Sequence, residues 1–503
     1  MSLTRKMFSN SFYLFLDVIV VNLLGLIFWF FNARFLSPEE VGIVSTSINL
    51  ALFLSSLSLL GFQGVLPKLI PEYLEKRQYN KIVSLSRLTL KVVLLSNTAI
   101  VLTVLLFLPL FQSLLNLPAK ALIFSSFLLF SFTFSTFFGC IMWGFQNMRA
   151  FFSTDFVGVV TKLLLTIILL FFGFGYISPL IGVLLGYILI DLKRFRKSWF
   201  FPPSKEKINN REIFFDYALP YFITLVSGLV FSNFQILLLA SLQGQYATGG
   251  YSIAFLIASL ISIIPGVLSQ ALFPIISQLS VGKKIKKQSY LIRLVLRYAL
   301  FIVLPLAAVL IFFSKPLLLL LRSEYIEITD ILSILTTASI LFGLGQLFSS
   351  NLYAIGKTKL NRNIWIVSAI TFLLISPVLV SLYSAFGLAI SFTLASLIFL
   401  ILNYYFIKKT LKLKIDWTNL FKLTIPLFLL LFFFYIADAV EANLLIKIIF
   451  AFCGLFVYLI LLVPLRFYKK EDLKILHIIV KKLPMMKKQF LILLKWFSKY
   501  VQQ

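Results

Sequence analysis

The chain contains one histidine, His477, and two cysteines, Cys140 and Cys453. That leaves almost no material for a zinc centre or for imidazole acid–base chemistry. Both cysteines fall inside apolar blocks and read as packing residues, so no cofactor or metal is expected. Acidic residues are also scarce, with 18 Asp and Glu against 46 Lys and Arg. No Gly-Lys-Ser/Thr phosphate loop occurs, which argues against a built-in nucleotide motor. The longest internal loop runs to about twenty residues and is basic. A membrane glycosyltransferase or polymerase would need acidic clusters or sizeable extramembrane loops, so an enzyme is not expected. The ~10-residue alternation of polarity that marks a membrane β-barrel is missing as well. A cleavable leader is not expected, because the apolar run 11–31 is too long for one and carries Asp17 and Asn22.

What the chain does have is apolar length. Of its 503 residues 60% are hydrophobic and only 13% charged, with a mean hydropathy of +1.00. Blocks such as 94–111, 121–142 and 423–437 match the ~20 residues that a helix needs to cross a ~30 Å hydrocarbon core. The pattern predicts an all-α polytopic membrane protein with about fourteen spans, near 11–33, 41–66, 89–111, 121–142, 154–174, 177–191, 214–240, 249–274, 294–314, 329–354, 364–383, 385–406, 421–437 and 444–465. With the N-terminus placed inside, 39 of the 46 Lys and Arg fall on inner segments, counting Arg297 and Lys422 at the inner feet of their helices, and only Arg34, Lys120, Lys315 and Arg322 on outer loops. This is the positive-inside asymmetry, and it depends on every loop having the right parity. It predicts a cell-membrane protein with both termini cytoplasmic. The formal charge of +28 is thus mainly topological rather than a nucleic-acid footprint. A secondary role is attraction to anionic inner-leaflet lipid. The run 283–287 and the tail 466–503, where Lys pairs alternate with apolar residues, suit interfacial amphipathic helices.

The chain also reads as written twice. Gln63 and Gln270, Pro67 and Pro274, and Pro109 and Pro316 recur at a spacing of 207, and Arg87 with Arg293 and Lys91 with Arg297 at 206. The segment Phe35–Ser45 entering the second span corresponds to Gln243–Ser252 in the second copy. Polar and proline positions carry this argument, since apolar residues match between any two membrane helices. The predicted organisation is a six-helix bundle over 1–205, a second over 206–412, an extra helix pair over 413–465 and the basic tail. A repeat with an even number of crossings places the copies about an axis along the membrane normal, with substrate sites near the midplane between them.

The layout resembles the multidrug/oligosaccharidyl-lipid/polysaccharide exporter superfamily, and within it the polysaccharide-transport (Wzx-type) branch. The residues that carry the resemblance are Ala33–Gly42, the short loop Ala354–Lys359 and the glycine-containing segment Ala385–Ala389. The resemblance spans essentially the whole chain, and its motifs are short. It implies a flippase that moves polyprenyl- or dolichyl-diphosphate-linked oligosaccharide from the cytoplasmic to the outer leaflet by alternating access. The other large branch implies a cation-coupled antiporter that exports small drug-like compounds. The implied partners are membrane lipids, the lipid-linked substrate and glycan-assembly enzymes, with the chain acting as a monomer.

A diphosphate-linked sugar needs cations for phosphate and polar groups for sugar. Intramembrane ionisable residues are therefore the candidates, since each costs ~2.5–3.5 kcal/mol at the bilayer centre. Lys162 lies ~12 Å into its span at helical rise, with Asp155 two turns earlier on the same face. It reads as a phosphate or sugar contact held by that carboxylate, or as half of a structural ion pair. Asp17 and Asn22 share the first span, where Asn22 serves either cargo or a helix–helix hydrogen bond. Arg34 attracts an emerging diphosphate, or snorkels and fixes its loop through Glu39 or Glu40. Lys91 and Arg297 occupy matched positions near the inner surface, snorkelling there or gathering anionic head groups. Gln63 and Gln270 each precede a proline by four residues, and Pro67 and Pro274 read equally as helix stops. Gln346, Asn351, Asn233 and Gln235 complete the set. Trp143 could serve either packing or sugar.

Overall fold

The computed structural model describes residues 3–198, 206, 208–439, 444–465, 467 and 468. These are overwhelmingly helical, and no strand occurs among them. The first half comprises α1 (Leu3–Phe35), α2 (Pro38–Ser58), α3 (Phe62–Glu75), α4 (Tyr79–Leu106), α5 (Leu108–Leu115), α6 (Ala119–Gly144), α7 (Met148–Phe171) and α8 (Ile177–Ser198). A short α9 (Asn210–Glu212) follows, then a π-helical turn Ile213–Ala218, α10 (Leu219–Leu229) and a second π-helical turn Val230–Phe234. The rest is α11 (Gln235–Val281), α12 (Ile285–Phe312), α13 (Ser314–Leu321), a 3-10 turn Ser323–Ile328, α14 (Thr329–Ala354), α15 (Thr358–Leu411), α16 (Trp417–Phe421), α17 (Thr424–Ala439) and α18 (Leu444–Leu461). The basic tail and His477 lie outside the described residues.

Ten of the described helical runs are long and apolar enough to cross a membrane. Two of them are interrupted. Gly244 breaks α11 at φ 78°, a conformation that a residue without Cβ adopts freely, and Ser384 breaks α15 at φ 52°. The chain is a multi-pass all-α membrane protein.

Local chemistry explains where the helices start and stop. Ser37 caps α2 through the Glu40 amide while Glu40 reaches back to the Ser37 amide, and Pro38 occupies the first turn. The expectation that Pro67 and Pro274 end helices is corrected. Both lie inside helices, α3 and α11, and the chain turns instead at Leu60–Gly61, before α3. A proline in an apolar helix forfeits one hydrogen bond, which packed neighbours can tolerate.

The chain forms two compact units. The first takes in Met1–Ile257, Leu318–Leu335 and Arg362–Ala395. Within it α2 and α6 are the most buried helices, while α1 and α4 expose aliphatic and aromatic side chains along much of their length. One apolar core in it joins Phe62, Leu66, Ile70, Leu85, Phe137 and Ile141. The second unit takes in Ala258–Leu317, Thr336–Asn361 and Ser396–Gln503. Here α17 and α18 dock on α12. Phe312 stacks on Phe434 at 4.2 Å between ring centres, and the Tyr458 hydroxyl donates to the Phe301 carbonyl at 3.2 Å. Lys447 pairs with Asp438 beside this contact.

Candidate functional site

The densest buried ionic cluster in the first unit lies on α7 and α8. Gly158 on α7 faces Gly186 on α8, and a Cβ on either would run into the opposite backbone carbonyl. This close approach brings Arg194 beside Asp155, with the guanidinium Nη2 2.5 Å from the carboxylate. Arg194 is 4% exposed, so each of its donors needs a partner. Nη1 donates to the Ser135 carbonyl at 2.7 Å and to its hydroxyl at 2.9 Å. Nε donates to the Thr154 hydroxyl at 3.2 Å. The Phe151 ring lies 4.4 Å from the guanidinium carbon. Asp17 on α1 and Asp191 on α8 lie within electrostatic range of the Arg194 guanidinium. One oxygen of each, Asp17 Oδ1 and Asp191 Oδ1, is buried without a hydrogen-bond partner in the protein. Arg194 thus forms one ion pair, with Asp155, and Asp17 and Asp191 are two further carboxylates within range of its charge. Arg194 escaped the sequence reading because 192–212 looks like a basic loop, whereas α8 runs on to Ser198; Asp191, the last residue of the span placed at 177–191, was passed over as an interfacial end. Their i, i+3 spacing in continuation of the apolar stripe was the available signal.

Lys162 sits on the same helix, 4.5 Å above the Phe28 ring centre. The expected link to Asp155 is corrected, because that carboxylate is taken by Arg194. Lys162 is instead a half-buried cation against an aromatic face.

A second feature joins α2 to the stretch of α11 that begins at Gly244. A Cβ on Gly42 would overlap the Gln245 carbonyl, and a Cβ on Gly249 would overlap the Pro38 carbonyl. Three residues on, the Ser45 hydroxyl donates to that of Ser252 at 2.7 Å, across a sequence separation of 207. Pro38 and Gln245, Gly42 and Gly249, and Ser45 and Ser252 all share that separation. The contacts are thus reciprocal, as a local two-fold requires. The Thr46 hydroxyl donates to Gln245 Oε1 at 2.8 Å, while Gln245 Nε2 donates to the Leu115 carbonyl at 2.5 Å. At the π-helical turn, Asn233 donates to Asn49 Oδ1 of α2 at 2.9 Å. Gln235 donates to Phe231 and accepts from Tyr251.

The other expected residues are dispersed. The Asn22 amide donates to Val18 of its own helix at 2.6 Å, without a helix–helix bond. Arg34 does not fix Glu39 or Glu40. It donates to the Leu321 carbonyl at 2.9 Å, and Glu40 is occupied by the α2 cap. Lys91 and Gln270 are exposed and Gln63 is half-buried. Arg297 does not snorkel; it is 5% exposed, with the rings of Tyr298 and Phe467 beside it. Asn351 is buried and donates to Leu347, and Gln346 lies half-buried near Gly266. Trp143 is exposed, edge-on to Phe151.

Residues 7–280, more than half of the chain, match the family described as "Polysaccharide biosynthesis protein". The chain belongs to this family. A second match, over residues 220–379, is to the MatE family. Among curated relatives is the capsular polysaccharide biosynthesis protein CapF of Staphylococcus aureus, 26% identical over 201 residues that cover 40% of this chain and 50% of CapF. The chain thus matches about half the length of that relative. Among solved structures, the lipid II flippase MurJ in an inward closed conformation is similar at a TM-score of 0.69 and 19% identity, covering 90% of this chain and 98% of MurJ. An inward-facing MATE family multidrug transporter of the MOP superfamily is similar at 0.64 and 13% identity, covering 78% and 94%. At these identities the likeness is one of fold. Family and fold together place the protein in the multidrug/oligosaccharidyl-lipid/polysaccharide exporter superfamily, as its motifs implied.

Proposed function

We propose that the protein is a flippase that carries polyprenyl- or dolichyl-diphosphate-linked oligosaccharide from the cytoplasmic to the outer leaflet by alternating access. The observation that carries this reading is the polysaccharide-biosynthesis family match over residues 7–280. MurJ, a lipid II flippase by its name, supports it at the level of fold. On this reading the chain crosses the membrane fourteen times with both ends inside, in two six-helix bundles over 1–205 and 206–412. Lys162 would contact the diphosphate or the first sugar. Outward transfer of an anion across an inside-negative membrane is downhill by ~2.3 kcal/mol per charge per 100 mV.

Two measurements test the proposal, both in vesicles containing the purified protein and a lipid-linked oligosaccharide. Collapsing the potential is expected to slow flipping, and an unchanged rate would remove this driving force. Lys162→Ala is expected to lower the flipping rate roughly tenfold or more, the loss of one charge-assisted hydrogen bond, while the protein still folds. Full activity in that variant would reduce Lys162 to a packing residue.

A second reading is cation-coupled export of small compounds. The partly buried carboxylates Asp17, Asp155 and Asp191 favour it, as does the MatE match. Dye efflux from cells that depends on the proton or sodium gradient, with no flipping of lipid-linked sugar, would select it.

A further inference from the structure

The second unit contains a cavity of about 110 Å³ that the transport reading does not use, lined by Tyr290, Arg293, Arg297, Asp416 and Asn419 with apolar neighbours. It lies where the first turns of α12 meet the segment leading into α16. Arg293 is held in place, its Nη1 donating to the Lys414 carbonyl at 3.3 Å and its Nε to Ser289 at 3.4 Å. Arg297, one turn on, is buried beside aromatic rings. Asp416 brings one negative charge, and its carboxylate accepts from the Thr418 hydroxyl at 2.8 Å and the Asn419 amide N–H at 3.2 Å. The lining thus keeps a net positive charge, and exposed Lys412 and Lys414 flank it. The telling residue is Asn419. It is 4% exposed, and neither its side-chain nitrogen nor its side-chain oxygen has a partner in the protein. A buried amide left so is unfavourable, and here it lines a cavity with room for several waters or one tetrahedral oxyanion.

The flanks indicate depth. Trp417 and Phe421, one turn apart on α16, are 54% and 64% exposed, the placement of interfacial aromatic anchors. Four lysines, 283, 284, 286 and 287, precede or open α12 and are exposed. An aromatic and lysine-rich rim of this kind belongs at the head-group level of a bilayer. The geometry points to a site for a phosphate oxyanion, gripped by Arg293 and Arg297 and completed by the Asn419 amide, which the head group of a net-anionic phospholipid fills. The bound lipid would brace the α12–α16 junction on which α17 and α18 dock. This inference is independent of the cargo assignment.

The test is native mass spectrometry and thermal melting of the purified full chain with phosphatidylglycerol, with phosphatidylcholine, and with inorganic phosphate alone. Phosphatidylglycerol should be retained and raise the melting temperature, with phosphatidylcholine much weaker. Arg293→Gln and Asn419→Leu should each weaken retention roughly tenfold. Asn419→Leu carries its own control. Without an anion it should melt at or above the wild type, because it removes a buried unpartnered amide, yet it should lose the lipid-dependent gain. Inorganic phosphate that stabilises the wild type but not the variants, and competes with phosphatidylglycerol, would support the oxyanion site while identifying free phosphate as an alternative source. Equal phosphatidylglycerol binding by wild type and both variants would overturn the proposal, as would no binding of either anion by the wild type.

Discussion

Cysteines placed at Ser45 and Ser252 will arrest transport when oxidised and release it when reduced. The two hydroxyl oxygens are 2.7 Å apart, and the backbones beside them touch through Gly42 and Gly249. A disulfide needs sulfurs at ~2.05 Å and Cβ atoms at ~3.8 Å, which closely packed facing serines nearly provide. On the proposed alternating-access cycle the crossing parts once per turnover. A covalent bond across it holds one state and should lower turnover by at least about tenfold. Removing Cys140 and Cys453 first eliminates competing thiols. The single variants Ser45→Cys and Ser252→Cys serve as controls and should remain insensitive to oxidant. Protection of both thiols from alkylation reports the cross-link. Full-speed transport by fully cross-linked protein would show that α2 and α11 stay together throughout the cycle, and the crossing would then be a static seam.

That crossing also shows what sequence could and could not reveal. The spacing of 207 is visible between Gln63 and Gln270, because polar residues in apolar helices are rare enough to register. The same spacing returns as physical contact between Ser45 and Ser252. Helical class and membrane character were equally legible, since a hydrocarbon core dictates helix length and composition. The ionic partners were not. Asp155 and Lys162 share a helix face, so one-dimensional spacing suggests that they pair. The partner that wins is Arg194, delivered by α8 through the Gly158–Gly186 approach. Charge counting reads Arg194 as one more cation in a basic loop and misses a helix that persists to Ser198. Arg297 was misjudged for a related reason. A basic residue one turn from the surface is expected to reach water, but the rings of Tyr298 and Phe467 lie against it. Periodicity reports which face is apolar, and it does not report what a neighbouring element places on that face.

The Arg194 cluster yields the largest expected effect on stability. Arg194→Ala should destabilise the protein by about 3 kcal/mol, because it strips the partly buried Asp155 carboxylate of its counter-charge while much of the desolvation cost remains. It also frees the hydrogen-bonding groups of Ser135 and Thr154. The expected readout is a sharp fall in yield and melting temperature in detergent, far beyond that of Lys193→Ala on the same helix. Replacing both partners separates fold from function. The double variant Asp155→Leu with Arg194→Met removes both charges and keeps most of the volume, and buried pairs so replaced are often neutral or more stable. If the pair is purely structural, the double variant regains both melting temperature and transport. If the cluster with Asp17 and Asp191 handles a coupling proton or cation, the double variant regains stability and stays inactive. The cation gradient would then cease to affect whatever transport remains. A single Arg194→Ala variant that melts like the wild type would mean that Asp155 gives up its charge or finds another partner at little cost, and the ionic core of the first unit would need a different account.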